Sequence, residues 1–501
     1  MNILFRLDAN NTIGSGHFSR CLTIADSLIE QDCSCTFMTR NLPENFKKNL
    51  KKKKIKNLNN DSAKKELEGD LPHSNWLESS QKNDAEVFLE MIKDNYDWLI
   101  VDHYALDYRW ESYFLKVAKN ILVIDDLADR KHECDILIDA NISENKRTFY
   151  ESNTPSKAKI FLGQKFALIR PEFIAQKLKN IEPIPKKILI FFGGFDEKKL
   201  TLKTLRTLVK IDTKKEFNFE VVVGANNKNK KQIFDECQKI GAEYHEQINN
   251  ISYLMAKSSI SIGAGGTTVW ERSYMGLPTL AFSIASNQLE QVEKANSLKI
   301  LHGINYEGLS EEQFEIELKN FLKNTKLHKI LKNKSQNFID GLGVKRITAL
   351  MKSRSITIRE AIISDLENIY NWRNDPQTRK FSNDPSPISL ESHKEWFEKT
   401  LKNKNKIILI ISFNKIPIGV VRFDCLNKSE AEVSIYLVPN NKKAAGMGRY
   451  ILLKAERWLK ENVTNIDLLK ATVSRKNLIS QQMFKNACYT YNDDIYVKNL
   501  K

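Results

Sequence analysis

Ile262-Gly263-Ala264-Gly265-Gly266-Thr267-Thr268-Val269-Trp270-Glu271, followed by Gly276-Leu277-Pro278, is the stretch whose reading decides the fold. An apolar run enters a glycine turn and leaves it as a helical pattern, which predicts a strand, a tight turn and a helix beginning at Thr267. Backbone amides at a helix start point outward and carry the positive end of the helix dipole, so they suit a phosphate. Gly265, Gly266, Thr267 and Thr268 form such a start. Glu271, one turn further, stands where it can accept hydrogen bonds from ribose hydroxyls.

Working outward, the same pattern recurs. Strands are predicted at 188–192, 220–223, 260–262 and 279–282, and Gly193-Gly194 directly follows the first of them as a second phosphate-friendly turn. Two such turns on one sheet suggest a nucleoside diphosphate. Upstream, Pro183 and Pro185 break the chain, and before them strands read at 3–7, 36–38, 98–101, 121–124 and 136–138. The first is followed by Ile13-Gly14-Ser15-Gly16-His17 and then by Cys21, Leu22, Ile24, Ala25 and Leu28 at helical spacing. Alternating strands and helices predict an α/β chain with two Rossmann-like halves, 1–182 and 183–352, whose ligand lies in the cleft beyond the strand ends. Residues 47–70, polar and Lys-rich, read as a surface helix or mobile insertion.

A second break falls at Met351-Lys352-Ser353-Arg354-Ser355. From there to residue 501 the pattern becomes α+β: helices at 361–374 and after Ser389, strands at 407–413, 418–423 and 431–437, and a helix from Gly448. Between the last strand and that helix stands Lys443-Ala444-Ala445-Gly446-Met447-Gly448-Arg449-Tyr450. Its small residues let backbone amides approach a diphosphate closely, with the helix dipole behind them.

Composition narrows the function classes. The 501 residues allow three or four domains. The net charge of +16 invites a nucleic-acid reading, but of the 78 basic residues 60 are Lys and 18 Arg. Arg is the residue suited to bidentate phosphate recognition, so the Lys excess reads as background rather than a nucleic-acid surface. The longest apolar runs are strand-sized, which excludes a bilayer span, and Met1-Asn2-Ile3-Leu4-Phe5-Arg6 lacks the features of a secretory signal. Seven cysteines, an odd number without metal-ligand spacing, are expected to be buried thiols in a reducing cytoplasm.

His17 is the candidate base of the first site. Hydrolysis at an anomeric carbon needs a group that takes a proton from water, and imidazole titrates in the useful range. A diphosphate leaving group held by helix amides needs no strong general acid. A structural histidine capping the helix is the competing reading. Asp125-Asp126, after a buried strand, reads as a cap or hydroxyl acceptor more readily than as a metal site.

At these residues the chain resembles the GT-B superfamily of nucleotide-sugar enzymes, and more closely the UDP-sugar hydrolases of the pseudaminic acid pathway. The resemblance runs through Arg6-Leu7-Asp8-Ala9, Gly14 to Arg20, Asp102-His103-Tyr104, Asp125 to Ala128, Ala167 to Phe173, Phe192-Gly193-Gly194, Val223 to Asn226, the 263–278 block and Asn287-Gln288. It implies that His17 activates water for inverting cleavage of the sugar carbon to UDP oxygen bond, and that Asp102, Tyr104, Arg170, Asn287 and Gln288 contact substrate. It also implies that no metal is essential. A glycosyltransferase of the same fold is the competing reading; the lipid-linked type would show an apolar membrane-facing patch near its N-terminal half, and none is visible in the sequence.

The 443–450 loop resembles the acyl-CoA signature of the GNAT acetyltransferases, with Lys443 where Gln or Arg is usual. Ile358-Arg359, Tyr370 to Asn374, His393 to Phe397, Gly419 to Phe423 and Asn477 to Phe484 resemble the pseudaminic acid pathway N-acetyltransferases, which acetylate the C4 amine of a UDP-4-amino sugar. The resemblance implies acetyl-CoA as co-substrate, bound by Lys443 to Arg449 with Asn477 on its pantetheine side, and Glu432 as the base. Phe484 stands where many relatives carry the Tyr that protonates the thiolate; Ser480, Tyr489 or water remain as alternatives. Trp372, Trp396 and Phe397 read as core aromatics. A cytoplasmic enzyme of two consecutive steps is therefore expected, with a UDP-amino sugar and acetyl-CoA as partners. Association with other enzymes of the pathway is compatible with that expectation.

Overall fold

A computed structural model of the chain describes residues 1–40, 42–59, 69–141, 145–211, 216–382, 384–441, 444, 446–463, 465–492 and 495–500. The backbone divides into two units, Met1–Val344 and Lys345–Lys501.

The first unit holds two sheets. β1 (Asn2–Leu7), β2 (Ser34–Thr39), β3 (Lys56–Asn59), β4 (Trp98–Asp102), β5 (Ile121–Ile124), β6 (Ile136–Asp139) and β7 (Lys159–Leu162) lie in the order β3-β2-β1-β4-β5-β6-β7, parallel throughout. β8 (Lys187–Phe191), β9 (Asn218–Val223), β10 (Glu243–Glu246), β11 (Ile260–Ala264), β12 (Thr279–Ser283) and β13 (His302–Asn305) lie in the order β10-β9-β8-β11-β12-β13, again all parallel. Each sheet steps outward from its first strand and returns to the other side of it. The loops after β1 and β4, and after β8 and β11, consequently part company and leave a crevice at the strand ends.

Parallel sheets covered on both faces need strands that are apolar on both faces. β4 and β5 meet this in full, every residue of each being buried. In the second sheet Ile188 and Ile190 enter one core cluster while Leu189 enters another on the opposite face. The helix Gly16–Ile29 buries Cys21, Ile24, Ala25 and Leu28 of the stripe read from the sequence, and Phe18 besides, while Leu22 is only partly buried.

Residues 47–70 differ from the sequence-based expectation. The helix exists as Glu44–Lys52, but Lys56–Asn59 continues as edge strand β3, with Met38 paired to Leu58. A Lys-Asn-Leu-Asn segment with one buried residue carries no readable alternation, and the neighbouring strand supplies the conformation. Residues 60–68 lie outside the described residues.

The second unit is one mixed sheet of β14 (Ile356–Glu360), β15 (Lys406–Phe413), β16 (Ile416–Cys425), β17 (Glu430–Leu437), β18 (Leu468–Thr472), β19 (Thr490–Asn492) and β20 (Ile495–Asn499), ordered β14-β15-β16-β17-β18-β20-β19. β17 and β18 are parallel and the other pairs antiparallel. Helices Leu366–Asn374 and Leu390–Leu401 cover one face, where Ile369 and Phe397 pack on Ile408, Ile410 and Val420. Helix Gly448–Asn462 covers the other: Gly419 points oppositely to Val420, and a side chain there would stand 3.4 Å from Ile451 Cδ1.

Candidate active sites

A cavity of about 450 Å³ lies at the carboxyl ends of the two parallel sheets of the first unit. The loop after β1 lends Gly14, Ser15, Gly16 and His17, the turn after β8 lends Gly193 and Gly194, and the helix start after β11 lends Gly266, Thr267 and Thr268. Tyr104, Arg170, Glu271, Asn287 and Gln288 complete the sequence-predicted lining. Gly265 packs away from it: a side chain there would meet Val292 Cγ2 at 2.3 Å. The loops of the two halves nearly touch. A Cβ on Gly194 would stand 3.2 Å from Ser15 Oγ, and one on Gly16 3.4 Å from Thr267 Cγ2, so glycine at both positions keeps the cleft open to a ligand.

Asp102, at the end of β4, is fully buried and does not line the cavity; it lies beneath His17. His17 Nδ1 stands 2.5 Å from Asp102 Oδ1. A carboxylate has no hydrogen to give, so Nδ1 carries the proton and donates it, and the Nε2 lone pair of the neutral ring is left as an acceptor. Arg20, one helical turn beyond His17, donates to Asp102 from Nε at 2.5 Å and from Nη2 at 2.6 Å. Burial alone would raise the Asp102 carboxyl, but Arg20 and then His17 hold it well below the ordinary carboxylate range. A permanent anion thus fixes the tautomer and orientation of the imidazole.

Arg20 and Trp76 escaped the sequence reading as site residues, and Asp126, read there as a cap or hydroxyl acceptor, joins them beside the pair. Arg20 also pairs with Asp126, which accepts the Tyr104 hydroxyl at 2.6 Å. Arg20 had a local signal, its i+3 spacing from His17 on one helix, whereas Asp126 could be placed only once β5 was known to adjoin β4. Trp76 stacks on Tyr104 with ring centroids 5.5 Å apart, lies edge-on to His17 at 6.1 Å and lines the cavity. It sits in a short polar stretch with no periodicity, so nothing local announces it. The adjacent Asp125 turns the other way, accepting Ala128 N–H and Tyr150 O–H at 2.9 Å each and pairing with Arg130. It works as the turn cap and hydroxyl acceptor that its position suggests.

Glu271, expected to meet ribose hydroxyls, is already engaged. Arg170 donates to its two oxygens at 2.6 and 2.9 Å, joining the segment before the second half to that half's helix. Each carboxylate oxygen has a second lone pair, so the pair can still accept a hydroxyl, with Arg170 as its support. Gln288 Oε1 accepts Ile284 N–H at 3.2 Å. Lys146 Nζ reaches Glu290 across the cleft at 3.1 Å.

In the second unit β17 pairs with β18 only over Glu430↔Leu468, Ala431↔Leu469 and Glu432↔Lys470. Beyond Glu432 the strands part, and the β17 backbone facing the gap can pair with an extended, amide-bearing ligand. Glu432 stands at the mouth of that gap and accepts Thr472 O–H at 3.0 Å. The loop after β17 leads to the helix Gly448–Asn462, with Gly446 at φ +73° and Met447 as N-cap; Ala444 and Met447 are buried. Lys443 and Ala445 lie outside the described residues. Arg449 occupies the first turn of that helix. Asn477 caps the next helix, Leu478–Asn486, by accepting Ser480 N–H at 3.0 Å. Phe484 is core, 5.0 Å from the Tyr489 ring, and Tyr489 donates to Glu456 at 2.9 Å. Burial, then Glu456, pushes that phenol far up.

The cysteines of the chain are free, five of them buried. Among the described residues one group, Glu220, Glu243 and His245, could ligate a cation; Lys187 already pairs with Glu220. No described helix is long and apolar enough to cross a membrane.

The first unit is thus a double Rossmann-like frame with a His–Asp pair in its cleft, and the second is an acetyltransferase fold: residues 355–487 match the acetyltransferase (GNAT) domain family. Over 297 residues the chain is 27% identical to the UDP-2,4-diacetamido-2,4,6-trideoxy-beta-L-altropyranose hydrolase of Campylobacter jejuni, covering 58% of this chain and 93% of that protein. It is 28% identical over 239 residues to the Helicobacter pylori protein named pseudaminic acid cytidylyltransferase and UDP-2,4-diacetamido-2,4,6-trideoxy-beta-L-altropyranose hydrolase, covering 46% of this chain and 42% of that one. An uncharacterized protein of Methanocaldococcus jannaschii is 25% identical over 508 residues, 97% of this chain and 96% of that one. The chain is an enzyme that joins a region similar to these hydrolases to a GNAT acetyltransferase domain.

Proposed function

We propose that the chain makes a precursor of a nonulosonic acid such as pseudaminic acid in two steps. Its second unit transfers acetyl from acetyl-CoA to the C4 amine of a UDP-4-amino sugar, and its first unit hydrolyses the resulting UDP-diacetamido-trideoxyhexose to UDP and free sugar. In this reading the chain has three domains, 1–182, 183–352 and 356–501, and works in the cytoplasm. The observation that carries it is the His17–Asp102 contact of 2.5 Å at a cleft with three glycine-bearing turns.

His17 Nε2 takes a proton from water, whose oxygen attacks the anomeric carbon as the bond to the UDP oxygen breaks. The departing electron pair stays on the diphosphate, which the amides at Ser15 to His17 and Gly266 to Thr268 stabilise; those of Gly14 and Gly265 are already donated to Asn10 O and Phe282 O. Attack from the side opposite UDP inverts the carbon. In the second unit Glu432, directly or through water, removes the ammonium proton; the amine nitrogen attacks the thioester carbon, the C–S bond breaks with its electron pair on the CoA sulfur, and the proton shed by the acylated nitrogen balances the thiol that leaves. The similarity to the Campylobacter hydrolase and the GNAT match support assigning both steps to one chain.

The test supplies the UDP-4-amino sugar with and without acetyl-CoA and follows acetylated intermediate, UDP and free sugar. The expected outcome is free diacetamido sugar only in the complete mixture, and accumulation of the acetylated UDP-sugar with His17→Ala. Absence of free sugar contradicts the hydrolase, and UDP release that requires a sugar acceptor makes the first unit a glycosyltransferase.

A further inference from the structure

Arg272, on the helix Thr268–Tyr274, is only 1% exposed. Its side chain runs back to the strand ends, where Nη1 donates to Ala264 O at 3.0 Å and Nη2 to Phe191 O at 2.7 Å. Those carbonyls close β11 and β8, adjacent strands from which the sheet steps outward to either side. Gly263 makes the room. A Cβ there would stand 2.1 Å from Phe191 O and 2.2 Å from Arg272 Nη2, so the first glycine of the 262–271 stretch is required by this contact.

The charge so enclosed is unmatched. Arg6, Arg40 and Arg130, also buried in the first unit, face Asp8 at 2.8 Å, Asp84 at 3.2 Å and Asp125 at 2.8 Å. Arg272 instead spends its donors on neutral carbonyls, and its Nε is a buried donor with no acceptor among the described residues. Burial pulls the guanidinium down to about 10, and the neighbouring Glu271, itself bound by Arg170, offsets part of that. The group stays charged at neutral pH. A buried cation without a counter-ion is costly, and an anion close by removes that cost. The place for the anion is one backbone layer away, because Phe191 and Ala264 line the cavity together with Gly193, Gly194 and Gly266 just beyond them. That layer is far thinner than the roughly 10 Å over which charges act in salt, and burial weakens the screening further.

We propose that Arg272 is the buried counter-charge for the diphosphate of the cleft ligand, attracting it across the cavity wall without touching it. This rests on the reading that the first unit binds UDP. The amides of the glycine turns orient the phosphates, while Arg272 supplies a full positive charge that no exposed lysine can replace. The same charge favours departure of UDP, which gains negative charge as the bond to the sugar breaks.

UDP and uridine are titrated into the full chain. Arg272→Gln is expected to weaken UDP by about 10- to 100-fold and uridine by less than about 2-fold. Unchanged UDP affinity overturns the proposal, and so does an equal loss for both ligands, which would make Arg272 a strut between strands. Arg272→Lys keeps a cation in the same space and carries the test if the first variant does not fold. The carbonyls of β8 and β11 are neutral and Glu271 is the charged group acting there, so burial lowers the pKa of the introduced ammonium and bound diphosphate raises it again. UDP affinity of this variant relative to wild type is expected to fall about 10-fold between about pH 6 and 9, with uridine affinity level; a level UDP ratio overturns the proposal. In the wild type the ratio of UDP to uridine affinity is expected to change less than about 3-fold between about 0.05 and 0.5 M salt, and its collapse would assign the attraction to exposed lysines. A wild-type chain that does not bind UDP overturns the underlying reading instead.

Discussion

His17 and Asp102 lie 85 residues apart in sequence and 2.5 Å apart in space. The histidine was singled out by its place on a glycine loop between strand and helix together with the resemblance, the loop alone being equally a plain turn. The aspartate was legible only through resemblance, since nothing local marks the end of β4 as the floor of a site. If the carboxylate holds the tautomer, Asp102→Asn removes charge without volume and is expected to lower kcat for hydrolysis by about 10²- to 10⁴-fold, with UDP affinity kept. Steady-state kinetics beside a UDP titration check this. Glu432→Gln is expected to lower acetyl transfer about 10²-fold while leaving hydrolysis of pre-acetylated UDP-sugar untouched. Loss of both activities would show structural damage in place of a lost base. The acid that protonates the thiolate was not legible, and the commitment of Tyr489 to Glu456 makes it a weak candidate.

Elements with strong apolar runs, such as β4, β5 and β11, were readable because burial on both faces leaves a continuous signal. Edge strands β3, β10 and β13 were not, since Lys-Asn-Leu-Asn, Glu-Tyr-His-Glu and His-Gly-Ile-Asn owe their conformation to a neighbour. The turn after β11 makes its own prediction. A methyl group at Gly265 would lie 2.3 Å from Val292 Cγ2 and 3.3 Å from Phe282 O, so Gly265→Ala must shift the helix start. It is expected to cost about 1–3 kcal/mol of stability and to weaken UDP binding, read by thermal melting and titration. The segment between β5 and β6 holds His132, for which the sequence offered no partner. Burial alone would lower its pKa, but Glu111 at 2.8 Å and Asp125 outweigh that and raise it to about 9. A raised pKa contributes stability in full below the unfolded value near 6.5 and loses it as pH rises through about 9, an effect of roughly 3 kcal/mol. Melting of the wild-type chain is therefore expected to fall over that interval, and His132→Gln to lack that part of the decline. An identical decline in the variant would assign it to other groups.

For the molecule as a whole, the charge of +16 matters less than where positive ends of helices and guanidinium groups stand. Both proposed substrates are polyanions, so a diffuse Lys field can gather them, while recognition is assigned to amides at Ser15 to His17 and Gly266 to Thr268. The α/β character of the first part and the α+β character of the second were legible from strand and helix order. The convergence of distant residues on one cleft was not, because it depends on which strands adjoin. The central claim, that water activated by His17 attacks the anomeric carbon, is tested most directly by letting the chain hydrolyse its acetylated UDP-sugar in water labelled with heavy oxygen. The account predicts the label in the free sugar and none in UDP; label in the terminal phosphate of UDP would contradict it.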